Sequence, residues 1–288
     1  MSDSYCMLQG QGVRLHRGTI CHLKAAGKDY DGAACTVVDY KEEKKKWLVR
    51  LEGEEWAGRQ LLASEASMAL AYCLLPVSLS KLRKFKGVTE EGVQGSCGRG
   101  LLAAQSVGAG NPIFEEAPFM VVYKAHDDPF VHHAHRWRAY SALELAARRD
   151  GDVSTRAAVN AFDDLDYPLD RPSAATLHEV AEAIADSTAA AESGGGIGQR
   201  VVQRTALVQQ VAGVLNKFRA NEFGFANGPE VETLTPAAAA YRASAVYAFI
   251  SRVNHSCEPS CGMVSKEGFH AARSIGFKLA QVIAIECH

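Results

Sequence analysis

An amide, an imidazole, two thiols and several hydroxyls crowd into Ser251-Arg252-Val253-Asn254-His255-Ser256-Cys257-Glu258-Pro259-Ser260-Cys261, directly after the apolar stretch Val246-Tyr247-Ala248-Phe249-Ile250. Two chemistries suggest themselves from these residue types. Cys257 and His255 offer a nucleophile and a base, but near neighbours in sequence rarely meet in catalytic geometry, and no G-x-S-x-G or papain-type context surrounds them. Cys257 and Cys261 offer two thiolates to zinc, yet a closed site needs four ligands and only Cys287 and nearby histidines follow. Elsewhere His132-His133-Ala134-His135 supplies imidazole nitrogens without an acidic or cysteine partner at ligand spacing, and beside Arg136 and Arg138 these read as polar-loop histidines.

Two further motifs precede this string in the chain. Gly98-Arg99-Gly100-Leu101 is followed by a Gly108-Ala109-Gly110-Asn111-Pro112 turn and by Ile113-Phe114-Glu115-Glu116-Ala117-Pro118, and Asn221-Glu222-Phe223 comes later, after a helical stretch. With Ser251, Asn254, His255, Ser256, Cys257 and Pro259 they resemble, in order, the signatures of the SET-domain family of protein-lysine methyltransferases. The layout is similar to that of the SET-and-MYND branch, although residues 124–220 contain no cysteine and so no zinc module of that kind. The resemblance covers roughly residues 76–275.

That resemblance implies a SET-type β-fold with a threaded, knot-like core, and S-adenosylmethionine as cofactor. It implies that backbone groups of Arg99, Gly100 and Leu101 hold the cofactor, with glycine allowing close approach of the main chain. It also implies that Asn221, Asn254 and His255 contact its amino-acid and adenine parts and that Ser251 lines the same pocket. The substrate would be a protein lysine, histone or non-histone, entering a narrow channel from the opposite face. No metal site is implied.

The pattern breaks after Ala271-Ala272-Arg273-Ser274-Ile275, which matches the family. The residues that follow contain no Glu-Glu pair, and no tyrosine occurs after Tyr247, so the Tyr that orients the substrate amine has no counterpart and the catalytic residue is unassigned. The family's carboxyl-terminal strand and zinc segment are expected to be missing, as in a prematurely ended or mis-joined product with weak activity. The alternative is a catalytically inactive SET scaffold that binds a partner through its amino-terminal part.

The elements that must carry these motifs follow from periodicity. Val13 and Leu15, then Cys35 and Val37, then Trp47, Val49 and Leu51 alternate as half-buried strands, with Gly27, Gly32, Gly53 and Gly58 between them. The spacing predicts a small β-barrel module over residues 1–66, whose Tyr30, Tyr40, Trp47 and Trp56 divide between core and a peptide-binding face. Residues 41–46 read as a solvated hairpin loop. Residues 67–90 form a connector whose apolar start, residues 67–76, is helix-permissive and whose stretch 81–86 is basic. Residues 98–123 read as a β-hairpin. Ala-rich segments at 137–149 and 173–192, a glycine break at 194–196 and the stripe Val201, Val208, Val211, Leu215 and Phe218 predict a helical insert over about 124–220. The expected class is mainly β with a helical insert (α+β), the SET domain spanning 91–288.

Composition bounds the rest. At 288 residues, 47% hydrophobic and 22% charged, the chain is an ordinary globular protein long enough for a substantial core. The formal net charge of −2 provides no cationic field for nucleic acid. Eight cysteines without a C-x-x-C pair suggest reduced thiols and an intracellular, nuclear or cytoplasmic setting. The start lacks a signal-peptide pattern, and no stretch approaches the roughly 18 apolar residues of a membrane span.

Overall fold

The computed structural model describes residues 6–7, 14–15, 18–24, 29–56, 58–74, 88–92, 99–103, 106, 109, 112–116, 118–123, 129–150, 153–165, 174–191, 197–225, 243–248, 250–252, 254–255, 261–266, 269–274 and 282–285. Among them the chain forms a mixed α/β structure with two large sheets and four α-helices. A two-stranded ribbon of β1 (Cys6–Met7) and β2 (Arg14–Leu15) precedes them.

The first large sheet begins as a meander, β3 (Ile20–Leu23), β4 (Ala34–Lys41), β5 (Lys46–Leu51) and β6 (Gln60–Ala63), each antiparallel to the next. The period-two expectation holds at Cys35, Val37, Trp47, Val49 and Leu51, which are all buried, and Cys21 and Leu23 of β3 are buried with them. The charged residues 42–45 make an exposed turn in which Lys45 takes a left-handed φ of 49°, so β4 reverses into β5 within a few residues. Trp47 packs into the interior against Tyr40, whereas Tyr30 and Trp56 form a half-exposed ring pair 5.3 Å apart with the Arg59 guanidinium over Tyr30.

Residues 67–76 differ from their helix-permissive reading: Met68–Leu74 is strand β7, and Met68, Ala71 and Cys73 are buried. Its Ala, Leu and Met favour helix locally, but both edges of β7 are paired, to β3 on one side and to β11 (Met120–Tyr123) on the other. Long-range pairing of this kind overrides a weak propensity. The sheet continues through β13 (Ala243–Val246) to β12 (Phe223–Phe225), giving the order β12-β13-β11-β7-β3-β4-β5-β6. Among the described pairings β7 hands on to β11, not to β6.

The hairpin read over residues 98–123 is also corrected. Strand β9 (Arg99–Ala103) pairs with β8 (Val88–Gly92), whereas β10 (Pro112–Glu116) pairs with β16 (Phe269–Ser274). Alternation identifies strands but not their partners, and here three strands separate β9 from β10. The second large sheet runs β10-β16-β15-β17-β9-β8, where β15 is Cys261–Lys266 and β17 is Val282–Ile285, and β14 (Asn254–His255) also pairs with β17. A strand therefore does follow Ile275, and it lies inside the sheet.

The helices are α1 (Pro129–Asp150), α2 (Val153–Asp163), α3 (Ala174–Ala191) and α4 (Ile197–Asn221), as the helical insert predicts, with α2 added between the expected segments. The α4 stripe is core: Val208, Val211, Leu215 and Phe218 are buried with Trp137, Tyr140, Phe162 and Ile184. Rings of Tyr140, Phe162 and Phe218 pack in series, each tilted against the next, at 4.9 and 5.2 Å. This core meets Phe119, Met120, Val122 and Val246 of the first sheet, so the end of α4 is fixed against the strand that leads to Ser251. Residues 81–86, 194–196, Gly98, Val201's side chain, Ser256, Cys257, Pro259 and Cys287 lie outside what is described.

Candidate functional site

After β13 the chain must turn sharply into a short 3-10 turn, Ile250–Arg252, before entering β14. A turn buried this deeply leaves backbone N–H groups that need acceptors. Glu116, at the end of β10, supplies them: Oε1 accepts from the Ala248 N–H at 2.9 Å and Oε2 from the Ile250 N–H at 2.8 Å. The carboxylate is only 7% exposed, so these charge-assisted bonds form away from competing water.

Ser251 closes the same turn. Its Oγ accepts from the Tyr247 N–H at 3.0 Å and donates to the Asn221 carbonyl oxygen at 2.8 Å, joining the turn to the last residue of α4. Asn221 in turn donates from Nδ2 to the Lys217 carbonyl oxygen at 2.9 Å, so its side chain folds back over the helix end. Tyr247 is fully buried, and burial followed by the Glu116 charge pushes its hydroxyl well above the usual range, which keeps it protonated.

The neighbouring Glu222 forms a short ion pair with Arg136 of α1, whose guanidinium also donates to His133 Nδ1 at 2.9 Å and sits over the Phe218 ring. Arg136 is buried, and desolvation draws its pKa down against the pull of Glu222. Losing either partner would leave an uncompensated buried charge. Phe223 then starts β12, opposite Ala245 of β13. The three residues of the Asn-x-Phe motif thus fix, in order, the turn, helix α1 and the sheet.

The remaining predicted residues are placed by β17. Val282 and Ile283 pair with Leu102 and Leu101 of β9. Ala284 and Ile285 pair instead with Asn254 and His255 of β14, in parallel. Ile285 also pairs with Cys261 of β15. A strand has two edges, so His255 and Cys261 must lie on opposite sides of Ile285, and β14 shares with β9 the edge facing away from β15. In antiparallel register Gly100 and Arg99 would continue opposite Ala284 and Ile285, but β14 takes those positions. Strands β9 and β14 therefore meet end to end on one edge of β17, while Arg99 and Gly100 stay paired with Gly92 and Glu91 of β8 on the other edge of β9. Strand β9 also approaches the 3-10 turn that holds Ser251.

The structure thus brings together Arg99, Gly100, Leu101, Asn254 and His255 around β17, and Ser251 with Asn221 beside them. No family model and no curated protein matches the chain. Sequence reasoning missed the clamp made by Glu116, although the residue stood inside a quoted motif, and it missed the Arg136–Glu222 pair. The one available signal was a carboxylate just before Ala117-Pro118, at the end of an apolar strand.

The histidines of α1 have separate neighbours. His132 Nδ1 lies 3.3 Å from the Tyr123 carbonyl oxygen, His133 meets Arg136, and the His135 ring stacks on His22 at 6.3 Å. Burial, reinforced by Arg136, pulls His132 down to about 3 and His133 to about 4, and burial brings His135 to about 4. Among the described residues no group of three or more His, Cys, Asp or Glu side chains is arranged to hold a metal ion.

Proposed function

We propose that the chain is a SET-type, S-adenosylmethionine-dependent protein-lysine N-methyltransferase whose cofactor site lies where β9 gives way to β14 along β17. The observation that carries the reading is this shared edge, because it gathers Arg99, Gly100, Leu101, Asn254 and His255 from segments about 150 residues apart. The residues suit the cofactor: the main chain of Arg99 and Gly100 runs on past the end of the β9–β17 pairing, and glycine lets a ligand approach the main chain closely. S-adenosylmethionine, when bound, supplies an electrophilic methyl group for in-line displacement by a lysine amine.

The chain's own residues act by positioning. The Ser251 Oγ bonds to the Asn221 carbonyl and the Tyr247 N–H while Asn221 Nδ2 bonds to the Lys217 carbonyl, so the two residues hold the Ile250–Arg252 turn beside β9 and set where β14 begins. Glu116 does the same from the other side. Asn254 and His255 are the residues this reading assigns to the cofactor itself. The threaded core and a barrel-like amino-terminal module belong to the same reading.

One observation favours a second reading. The Tyr247 hydroxyl is buried and held protonated, so it does not serve to orient a substrate amine. A scaffold that binds cofactor without transferring methyl would have this character, with a partner held by the amino-terminal strands. The two are separated by incubating the full chain with core histones and methyl-tritiated S-adenosylmethionine. The enzyme reading predicts slow but catalytic appearance of label in methyllysine after acid hydrolysis; cofactor binding with no label above a chain-free control supports the scaffold.

A further inference from the structure

Two thiols outside the candidate site face each other across the first sheet. Cys21 of β3 and Cys35 of β4 are directly opposite in register, both are fully buried, and their Sγ atoms are 3.3 Å apart with no disulfide between them. Two residues to either side, Leu23 N–H donates to the Ala33 carbonyl and Val37 N–H to that of Thr19, each at 2.9 Å. The alternation of an antiparallel ladder makes Cys21 and Cys35 a hydrogen-bonded pair, for which the Cα separation is about 5.5 Å. That value falls inside the range a disulfide requires, about 4.4–6.8 Å. Only the side chains need to move.

From this geometry we infer that Cys21 and Cys35 form a reversible disulfide site, with a peroxide as oxidant. The two sulfurs share one S–H···S contact in which either can donate, so the thiol that gives up its proton first attacks and the other resolves. The thiolate attacks one peroxide oxygen, the O–O bond breaks, and hydroxide leaves to take up a proton as water. The second sulfur then attacks the sulfenic acid, the S–O bond breaks, and the hydroxyl leaves as water with the second thiol's proton. Two thiols lose two electrons in all, and one hydrogen peroxide becomes two waters. A small thiol or dithiol reverses the step by exchange.

Burial makes the reaction slower than at an exposed thiol, because a water-sized oxidant must enter while β3 and β4 open locally. Once formed, the bond ties β3 to β4 and with it the β4-β5-β6 run to the strand that β7 joins to β11. A loop of this length should raise the melting temperature by about 5 °C.

The test uses the reduced full chain, treated with hydrogen peroxide at slight excess, alkylated in denaturant and digested with trypsin, which cuts at Lys24 and Lys28 between the two cysteines. The inference predicts a Cys21–Cys35 linked peptide, 2 Da lighter than the two thiol peptides together and released by dithiothreitol, together with the rise in melting temperature. Full alkylation of both residues overturns it, as does a link from either one to Cys73, which is also buried. In Cys21→Ala and in Cys35→Ala the single remaining thiol of the pair should, in at least one variant, be labelled by dimedone after peroxide; labelling in neither would overturn the stepwise route. The native-chain digest decides the site even where a variant folds poorly.

Discussion

Glu116→Ala lowers the stability of the chain by about 3–5 kcal/mol, since two bonds from buried N–H groups to a carboxylate are lost and those groups are left without an acceptor. For a chain of this size that corresponds to a fall in melting temperature of roughly 5–8 °C. The effect is local in origin. The Ala248 and Ile250 amides, which bond to Glu116 across 132 and 134 residues of sequence, should exchange with solvent at least 100-fold faster in the variant. Glu116→Gln keeps one acceptor oxygen but turns an N–H toward a backbone N–H, so it should recover no more than half of the loss. Calorimetry with hydrogen exchange by mass spectrometry reads both quantities. Unchanged exchange at residues 248–250 in a destabilised Glu116→Ala would show that the turn does not depend on this carboxylate.

Acidification is the second large effect. His132, His133 and His135 are held neutral by burial, with folded values of about 3, 4 and 4 against an ordinary 6.5. The charges that face them are Arg136 and Arg138 on their own helix, with Glu222 pairing Arg136 from the end of α4. His22 of β3 stacks on His135, and Tyr123 of β11 presents its carbonyl. Because the folded values are depressed, unfolding below pH 6.5 takes up protons. The stability from neutral histidines is complete above that pH and drains away as pH falls toward the folded values. Each imidazole costs about 2 kcal/mol between pH 7 and pH 5, or about 4–6 kcal/mol for the three together. Urea denaturation at pH 7.5, 6.0 and 5.0 should show that slope, and His135→Gln should remove the share of one proton from it. A flat profile across this range would mean that the three rings are solvated in the folded chain.

How much of this was legible in the sequence depends on whether a feature is local. Val37, Trp47, Val49 and Leu51 announce β4 and β5 by alternation, and Val208, Val211, Leu215 and Phe218 announce the buried face of α4, because each pattern is set by the element's own period. Met68–Leu74 misleads, since its residues suit a helix and only its two partners, β3 and β11, make it a strand. The supposed hairpin between β9 and β10 fails for a related reason: both are strands, but their partners β8, β17 and β16 lie elsewhere in the chain. The motif residues of the candidate site could be read by type, yet nothing in their spacing says that Ser251 bonds to Asn221 or that Glu116 receives two N–H groups. Those bonds are long-range and polar, and no sequence period encodes them.

The central claim is that the edge shared by β9 and β14 binds S-adenosylmethionine, and a calorimetric titration of the cofactor into the purified full chain, with Asn254→Ala alongside, tests it most directly. Saturable binding near one equivalent, weakened at least 10-fold in Asn254→Ala while the variant keeps its melting temperature, is the predicted result. A folded chain that takes up no cofactor, or an Asn254→Ala variant that binds it as well as the parent, would contradict the account.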